Sequence, residues 1–516
     1  MKTINKILIL GIAFLIILSF DHCSKVVLNS TANLPALKPV STDSSAGGWK
    51  TILLTSPSQI SVAIPVASSS SSYLAELVQI KASQVNLTSD QKASISYWSA
   101  GNVLRWNETM RDLVAKYNLA PVTVNGVYPI PNPTNPLAYP LFPFSNPPYS
   151  SRAYAYVSAA QYDALVAAYY YKSLYNRKAP YFQDPGVNAL VPKSSLASYP
   201  SEAGVLAGVT AEMMKLLFPD EVISIQAKAH NAEQSAILSG AATQSDINAG
   251  DSLGKHIADL FIARAKKDRA GAAVGNATIW AALATNAKAK NQVPWISLEV
   301  PQRPPQLPLF GNVKSLILDS LTLLSLRPGP PPSTSSDSMA SQLNKALKYI
   351  QNPTPENIRI TQFWADGIGT YTPPGHWNTI AATDFITQNY SEIRWARNFA
   401  ILNISMMDAA IVCWNTKYFY FNPRPTQMNN LIKTLTGIPN FPSYISGHST
   451  LSGAACTVLG YLIPSRVPAY VQMASEASNS RTVSGIHYEI DCTTGLRVGV
   501  NIGNLAVQKL KTLGGN

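Results

Sequence analysis

Residues 154–175 read YAYVSAAQYDALVAAYYYKSLY. Apolar side chains recur here at i, i+3 and i+4, the spacing that lines one face of a helix, and the run is too long for an ordinary strand. Tyr169–Tyr171, like Tyr418 and Tyr420 further on, are read as packing residues rather than radical carriers. The same spacing of Ala, Leu and Ile appears in Glu202–Leu217 and Ile247–Lys267, and the helical period begins near Tyr73. Alternating Val/Ile/Thr runs bounded by turn pairs, the mark of strands, are scarce. These patterns predict an all-α protein.

Composition narrows the class further. The chain has 516 residues, with 40 Lys plus Arg against 28 Asp plus Glu, a formal net charge of +12. Only 13% of residues are charged and 46% are hydrophobic, which excludes a disordered chain. Four cysteines exclude a disulfide scaffold, and a mean hydropathy of +0.03 argues against a multi-span membrane protein. The positive surplus points to an anionic ligand without saying whether it is nucleic acid, lipid headgroup or a small oxyanion. No Lys/Arg-rich run and no basic-aromatic groove motif is found, so no nucleic-acid partner is expected.

Lys2 and Lys6 precede an apolar run, Ile7–Phe20, whose length suits the hydrophobic region of a secretory signal and falls short of a membrane span. Residues 1–22 are read as a signal peptide and the protein as exported: periplasmic, secreted or at the outer surface. Cys23 offers a lipid-anchor site, although Phe20-Asp21-His22 lacks the small side chains a lipoprotein signal peptidase takes. Cys413, Cys456 and Cys492 are read as small buried hydrophobes, with one bridge left open. Residues 23–72, rich in Ser, Pro and Thr, read as a tether. An N-terminal helical bundle over 73–300 and a C-terminal one over 301–516 are expected to follow. Two long proline-rich stretches, Pro121–Pro148 and Pro301–Pro332, are expected to be functional or surface-wrapping loops. No other segment reaches membrane-spanning length, so no transmembrane domain is expected in the mature chain.

The residues that carry chemistry lie after Phe363, in three segments. The first is Trp414-Asn-Thr-Lys417-Tyr-Phe-Tyr-Phe-Asn-Pro-Arg424-Pro425, closing an apolar helix that runs from about Arg394. Lys417 and Arg424 are about two helical turns apart and are expected to face one cavity. The second is Phe441-Pro-Ser-Tyr-Ile-Ser446-Gly447-His448, leading into an apolar helix; its free N–H groups and dipole favour an anion. The third is Ser480-Arg481-Thr-Val-Ser-Gly-Ile-His487-Tyr-Glu-Ile-Asp491. At i and i+4 on one helical face, Asp491 can orient the His487 imidazole and raise its basicity. Each segment alone has an ordinary reading: snorkelling cations, a serine cap, a structural pair.

Taken together, the three segments resemble the tripartite signature of the superfamily shared by vanadium-dependent haloperoxidases and type 2 phosphatidic-acid phosphatases, over roughly residues 360–495. One departure is Ile445, where that superfamily usually has proline before Ser-Gly-His. The resemblance implies two packed helical bundles of the haloperoxidase and acid phosphatase type. It implies that Lys417, Arg424 and Arg481 bind the oxygens of an oxyanion, with Ser446 and the N–H of Gly447 adding two hydrogen bonds. His487 would then meet the central atom, as ligand to the vanadium of vanadate or as nucleophile toward phosphate; His448 would be the acid–base and Asp491 would orient His487.

Three features incline the resemblance to the haloperoxidase branch. More than 300 residues precede Lys417, more than soluble phosphatases of this superfamily have. Phe363-Trp-Ala-Asp366-Gly367, with Gly369 and Thr372-Pro373-Pro374, resembles a haloperoxidase segment and makes Asp366 the expected partner of Arg481. Trp414 and Phe441 match the residue types of fungal chloroperoxidases, where bromoperoxidases tend to have His at the second position; halide preference stays open. His376 has two readings: a residue lining the halide or substrate channel, or a loop histidine bonded to backbone. The expected cofactor is vanadate, with phosphate fitting the same site. The expected partners are hydrogen peroxide and halide, with or without an organic acceptor, and the product is hypohalous acid. The alternatives are an exported phosphomonoesterase working through phosphohistidine, and an oxyanion-binding protein without turnover.

Overall fold

Residues 33–119, 122–128 and 146–515 are described by the computed structural model. The signal peptide, Cys23 and most of the Pro121–Pro148 stretch lie outside the described residues. The structure is 64% helical, and no strand occurs among the described residues, so the all-α expectation holds.

The N-terminal half contributes α1 (Ser71–Val85), α2 (Ser89–Ser99), α3 (Asn102–Tyr117), α4 (Pro147–Tyr175), α5 (Glu202–Leu217), α6 (Val222–Leu238), α7 (Gln244–Ala265) and α8 (Ala277–Ala289). The C-terminal half contributes α9 (Asp337–Gln351), α10 (Pro355–Phe363), α11 (Thr372–Ile386), α12 (Glu392–Tyr420), α13 (Gly447–Leu462), α14 (Val467–Val483) and α15 (Glu489–Leu513). The two longest helices, α4 and α12, pack side by side at the centre, one from each half. Helix α12 is long and apolar enough to cross a membrane by composition, yet 94% of its most apolar window is buried, covered by α4, α13 and α15. Polar groups at this centre are paired: Asn403 donates to Ser158 (2.9 Å) and Asn378 donates to Asn403 (2.6 Å). Cys413, Cys456 and Cys492 are buried and free, with no bridge among them.

The tyrosines that mark α4 do more than pack. From Ala36 the chain belongs to the same compact unit as the helices, and residues 50–63 are tied down by hydroxyl groups. Tyr162, Tyr171, Tyr175 and Tyr199 donate to the carbonyls of Lys50, Ile60, Val62 and Ala63 at 2.7–2.9 Å. Asp163, fully buried on α4, accepts the N–H groups of Ile52, Leu53 and Leu54 at 2.7–3.0 Å. Asp163→Ala strands those three donors, and at about 1 kcal/mol each the expected loss is roughly 3 kcal/mol by denaturant titration, with new protease cleavage near residues 50–63. An unchanged midpoint and cleavage pattern would remove Asp163 as the anchor of this segment.

The site is positioned by the contact of α13 with α15. A Cβ at Gly453 or Gly499 would collide with the facing helix backbone, so glycine there lets the axes approach closely. The approach is tight enough for the Ser446 N–H to donate to the Asp491 carbonyl at 3.0 Å. The Ser-Gly-His turn is thereby held beside the His487–Asp491 pair.

Candidate active site

Each signature segment ends at a helix boundary. Helix α12 stops at Tyr420 because Phe421 turns left-handed (φ 51°) and Pro423 and Pro425 follow. Arg424 therefore does not sit two turns along the same helix from Lys417. It follows the break and caps the short turn Pro425–Met428. The two cations still meet the same loop: Lys417 Nζ donates to the carbonyls of Pro442 (2.8 Å) and Ser443 (2.9 Å), and Arg424 Nε donates to Phe441 (2.9 Å). Ser446 is the N-cap of α13, Gly447 opens the helix, and His448 lies in its first turn, as the sequence implied. Arg481 lies in the last turn of α14, where Nε donates to Ser480 Oγ (3.0 Å) and Nη2 to the Thr361 carbonyl (3.3 Å).

His487 is not on a helical face either; it precedes α15, and Tyr488 is the N-cap. The expected pair forms nonetheless, with His487 Nδ1 2.9 Å from Asp491 Oδ2. That same oxygen accepts from Ser443 Oγ (2.5 Å) and the Tyr488 N–H (3.2 Å). With two assigned donors already on that oxygen, Asp491 acts as an acceptor, which assigns the imidazole proton to Nδ1 and leaves the lone pair on Nε2. The lone pair faces Arg424 Nη1 at 3.4 Å. Ser443 was missed by sequence reading because a single serine in a Pro-Ser-Tyr loop carries no spacing signal.

Burial governs the electrostatics. Lys417, Arg424 and Arg481 are all at most 2% exposed. Desolvation pushes Arg424 and Arg481 down to about 10 and lowers Lys417 as well. Burial, aided by Arg424, Lys417 and Arg481, holds His487 well below its usual value, so it is neutral at pH 7. Arg424 Nη2 is buried without a partner, as is Asp491 Oδ1. Clustered buried cations with an orphaned guanidinium nitrogen beside a helix N-terminus suit a tetrahedral oxyanion, and vanadate or phosphate fits the donor set equally.

In front of these groups is a cavity of about 440 Å³ that reaches His448, Arg481 and His487. Trp414, Phe441, Ile368, Leu451 and Ile486 supply its apolar wall. Trp414 and Phe441 pack on each other (centroids 4.9 Å), and the Lys417 ammonium lies 5.0 Å from the Phe441 ring.

Asp366 departs from expectation. It lines the cavity, but no ion pair joins it to Arg481. Its Oδ1 bonds His376 Nδ1 at 3.0 Å, and its Oδ2 lies 3.5 Å from His448 Nε2. Loop 366–370 is aimed this way by Asn118, whose side chain donates to the carbonyls of Gly367 (2.7 Å) and Thr370 (3.0 Å). His376, for its part, is neither a channel residue nor a backbone-bonded loop histidine. It lies on α11, buried, with its ring stacked on Trp364 at 4.4 Å.

Residues 398–514 match the family model described as the PAP2 superfamily. This segment belongs to the PAP2 superfamily. It holds all three cations, the Ser-Gly-His turn and the His487–Asp491 pair, while Asp366 and His376 lie upstream of the PAP2 segment. A search of curated proteins gave no match. Among solved structures the chain is similar to a bacterial vanadium-dependent iodoperoxidase, with 22% identity and a TM-score of 0.54 over 70% of this chain and 91% of that one. It is also similar to a bacterial vanadium-dependent chloroperoxidase in holo and apo forms, at 12% and 13% identity, each with a TM-score of 0.49 and covering 72% of this chain. The likeness to the iodoperoxidase is one of fold, and it extends the all-helical architecture well beyond the PAP2 segment.

Proposed function

We propose that this protein is an exported, vanadate-dependent haloperoxidase that uses hydrogen peroxide to oxidise halide to hypohalous acid. The reading rests above all on the buried cage: Lys417, Arg424 and Arg481 gathered around the free Nε2 of His487, with Arg424 Nη2 left without a partner. The helical fold shared with the iodoperoxidase beyond the PAP2 segment supports this branch over the phosphatases. The charged lysines and apolar run at 2–20 support export.

In this reading Lys417, Arg424, Arg481, Ser446 and the Gly447 N–H hold the oxygens of vanadate, and His487 Nε2 ligates it. Bound vanadate would supply a Lewis-acid centre that activates peroxide toward halide without a change in metal redox state. Asp491 and Ser443 keep the proton on His487 Nδ1, so the ligating nitrogen stays free. His448 moves the proton. Burial and the field of Arg481 push it down to about 4, against the pull of Asp366. An oxyanion beside Arg481 offsets that field and brings His448 back toward neutrality, where it serves as acid and base. The apolar wall of Trp414 and Phe441 keeps bulk water from the cage.

Vanadate-free protein tests the proposal. Orthovanadate followed by peroxide and bromide or iodide is expected to halogenate a diketone, with no turnover when vanadate is omitted. Hydrolysis of p-nitrophenyl phosphate without vanadate, inhibited by vanadate and unaccompanied by halogenation, would instead make the protein a phosphatase with His487 as nucleophile.

A further inference from the structure

We propose that His376, outside the PAP2 segment and away from the cavity, is a positioning residue that holds the Asp366 carboxylate so that its second oxygen faces His448. The proposal rests on the haloperoxidase reading for its kinetic consequence, though not for its geometry.

Asp366 is 8% exposed, and its loop is fixed by Asn118. A buried carboxylate has two oxygens to satisfy. Here Oδ1 takes His376 Nδ1 at 3.0 Å, while Oδ2 has no hydrogen bond. His448 Nε2 is also buried without a hydrogen-bond partner, and the two orphaned atoms lie 3.5 Å apart. Each is thus the nearest charge-matched group for the other, at a separation long for a hydrogen bond and short enough to close once the site is loaded. If Oδ1 lost its donor, the carboxylate could rotate and turn either oxygen elsewhere.

His376 is itself immobilised. Its ring stacks on Trp364 (4.4 Å, 25°) and meets Phe363 edge-on (5.0 Å). The Trp364 indole in turn donates to Glu476 on α14 at 2.9 Å. Helix α11 is pinned against α13 by Trp377, which donates to Ser452 at 3.0 Å. The proton-moving residue on α13 and the residue that aims its carboxylate on α11 are therefore parts of one rigid face. The charged and titratable groups facing His448 are Asp366 from the loop, His376 from α11, Arg481 from α14, and His487 ahead of α15. Removing the His376 donor leaves Asp366 with His448 as its remaining histidine partner and Arg481 as a charged neighbour.

Three substitutions separate packing from hydrogen bonding. His376→Phe keeps a ring on Trp364 and loses the donor; His376→Asn keeps a donor near the Nδ1 position and loses the ring; His376→Met stands in for the phenylalanine variant should that one not fold. With ¹⁵N-histidine labelling, six histidines give a tractable spectrum. In vanadate-free protein the His448 resonances are expected to shift in His376→Phe, as the released carboxylate turns away from Nε2, and to stay near wild type in His376→Asn. In loaded enzyme, kcat is expected to fall roughly 10–100-fold in His376→Phe, with KM for peroxide and halide held within about twofold and most of kcat recovered in His376→Asn. Unmoved His448 resonances, or equal losses in both variants accompanied by a lower melting temperature, would make His376 a packing residue and overturn the proposal. A wild-type protein that never halogenates would defeat the functional reading alone, because the spectra of the vanadate-free protein still decide the positioning role.

Discussion

Replacing His448 by alanine is expected to lower turnover by about 10²–10⁴-fold, the range for losing a positioned acid–base group, while oxyanion affinity stays within a small factor. The split follows from where the atoms are. The proposed cage donors are Lys417 in the last turn of α12, Arg424 beyond its break, Ser446 and the Gly447 N–H at the start of α13, and Arg481 in the last turn of α14, and none of their hydrogen bonds passes through the His448 ring. His448 stands at the cavity wall with its Nε2 turned to Asp366. Truncating it removes the proposed proton carrier and leaves the donors in place. Steady-state turnover and calorimetric titration with vanadate, on the same preparation, read the two quantities separately. Turnover unchanged in His448→Ala would strip the residue of its role; affinity falling in step with turnover would make it part of the cage.

The PAP2 signature was readable because it consists of residue types at fixed separations, and separations survive whatever backbone connects them. The backbone itself was less readable. Lys417 and Arg424 looked like two turns of one helix, and His487 and Asp491 like one helical face. Phe421 in the left-handed region and Tyr488 as an N-cap break both helices between the paired residues. The pairs meet all the same: Lys417 and Arg424 both donate to carbonyls of residues 441–443, and Asp491 reaches His487 from the first turn of α15. Asp366 shows the limit from the other side. A carboxylate and an arginine in two distant segments suggested an ion pair, but the sequence carries no sign that Asn118 clamps loop 366–370 and turns Asp366 to His376 and His448. Tyr171 was read as packing, and only the fold reveals that its hydroxyl, with those of Tyr162 and Tyr175, holds residues 50–63.

Oxyanion affinity is expected to fall above about pH 8 by up to tenfold per unit, and Lys417→Met is expected to abolish that slope. In the free protein, burial lowers Lys417 to about 8 from its ordinary value near 10.5, with Arg424 adding repulsion and Asp491 opposing both. A bound anion favours the charged ammonium and raises its value again. Below about 8 the proton is present before and after binding, so Lys417 contributes no pH dependence. Above that pH the free protein has lost the proton and must take it up to bind, which weakens affinity as pH rises. Arg424 and Arg481, near 10 in the free protein, join only at the alkaline end. Tungstate is the suitable probe, since it carries a constant double charge across this range, whereas vanadate and phosphate titrate within it. At neutral pH Lys417→Met removes one partner of a buried charge pair, for which about 2–5 kcal/mol is typical, so affinity is expected to drop by roughly 10²–10³-fold. The two proteins should converge toward the same affinity near pH 10, where the wild-type ammonium is itself neutral. A wild-type profile that stays flat through this range, or a variant that retains the slope, would move the titrating cation away from Lys417.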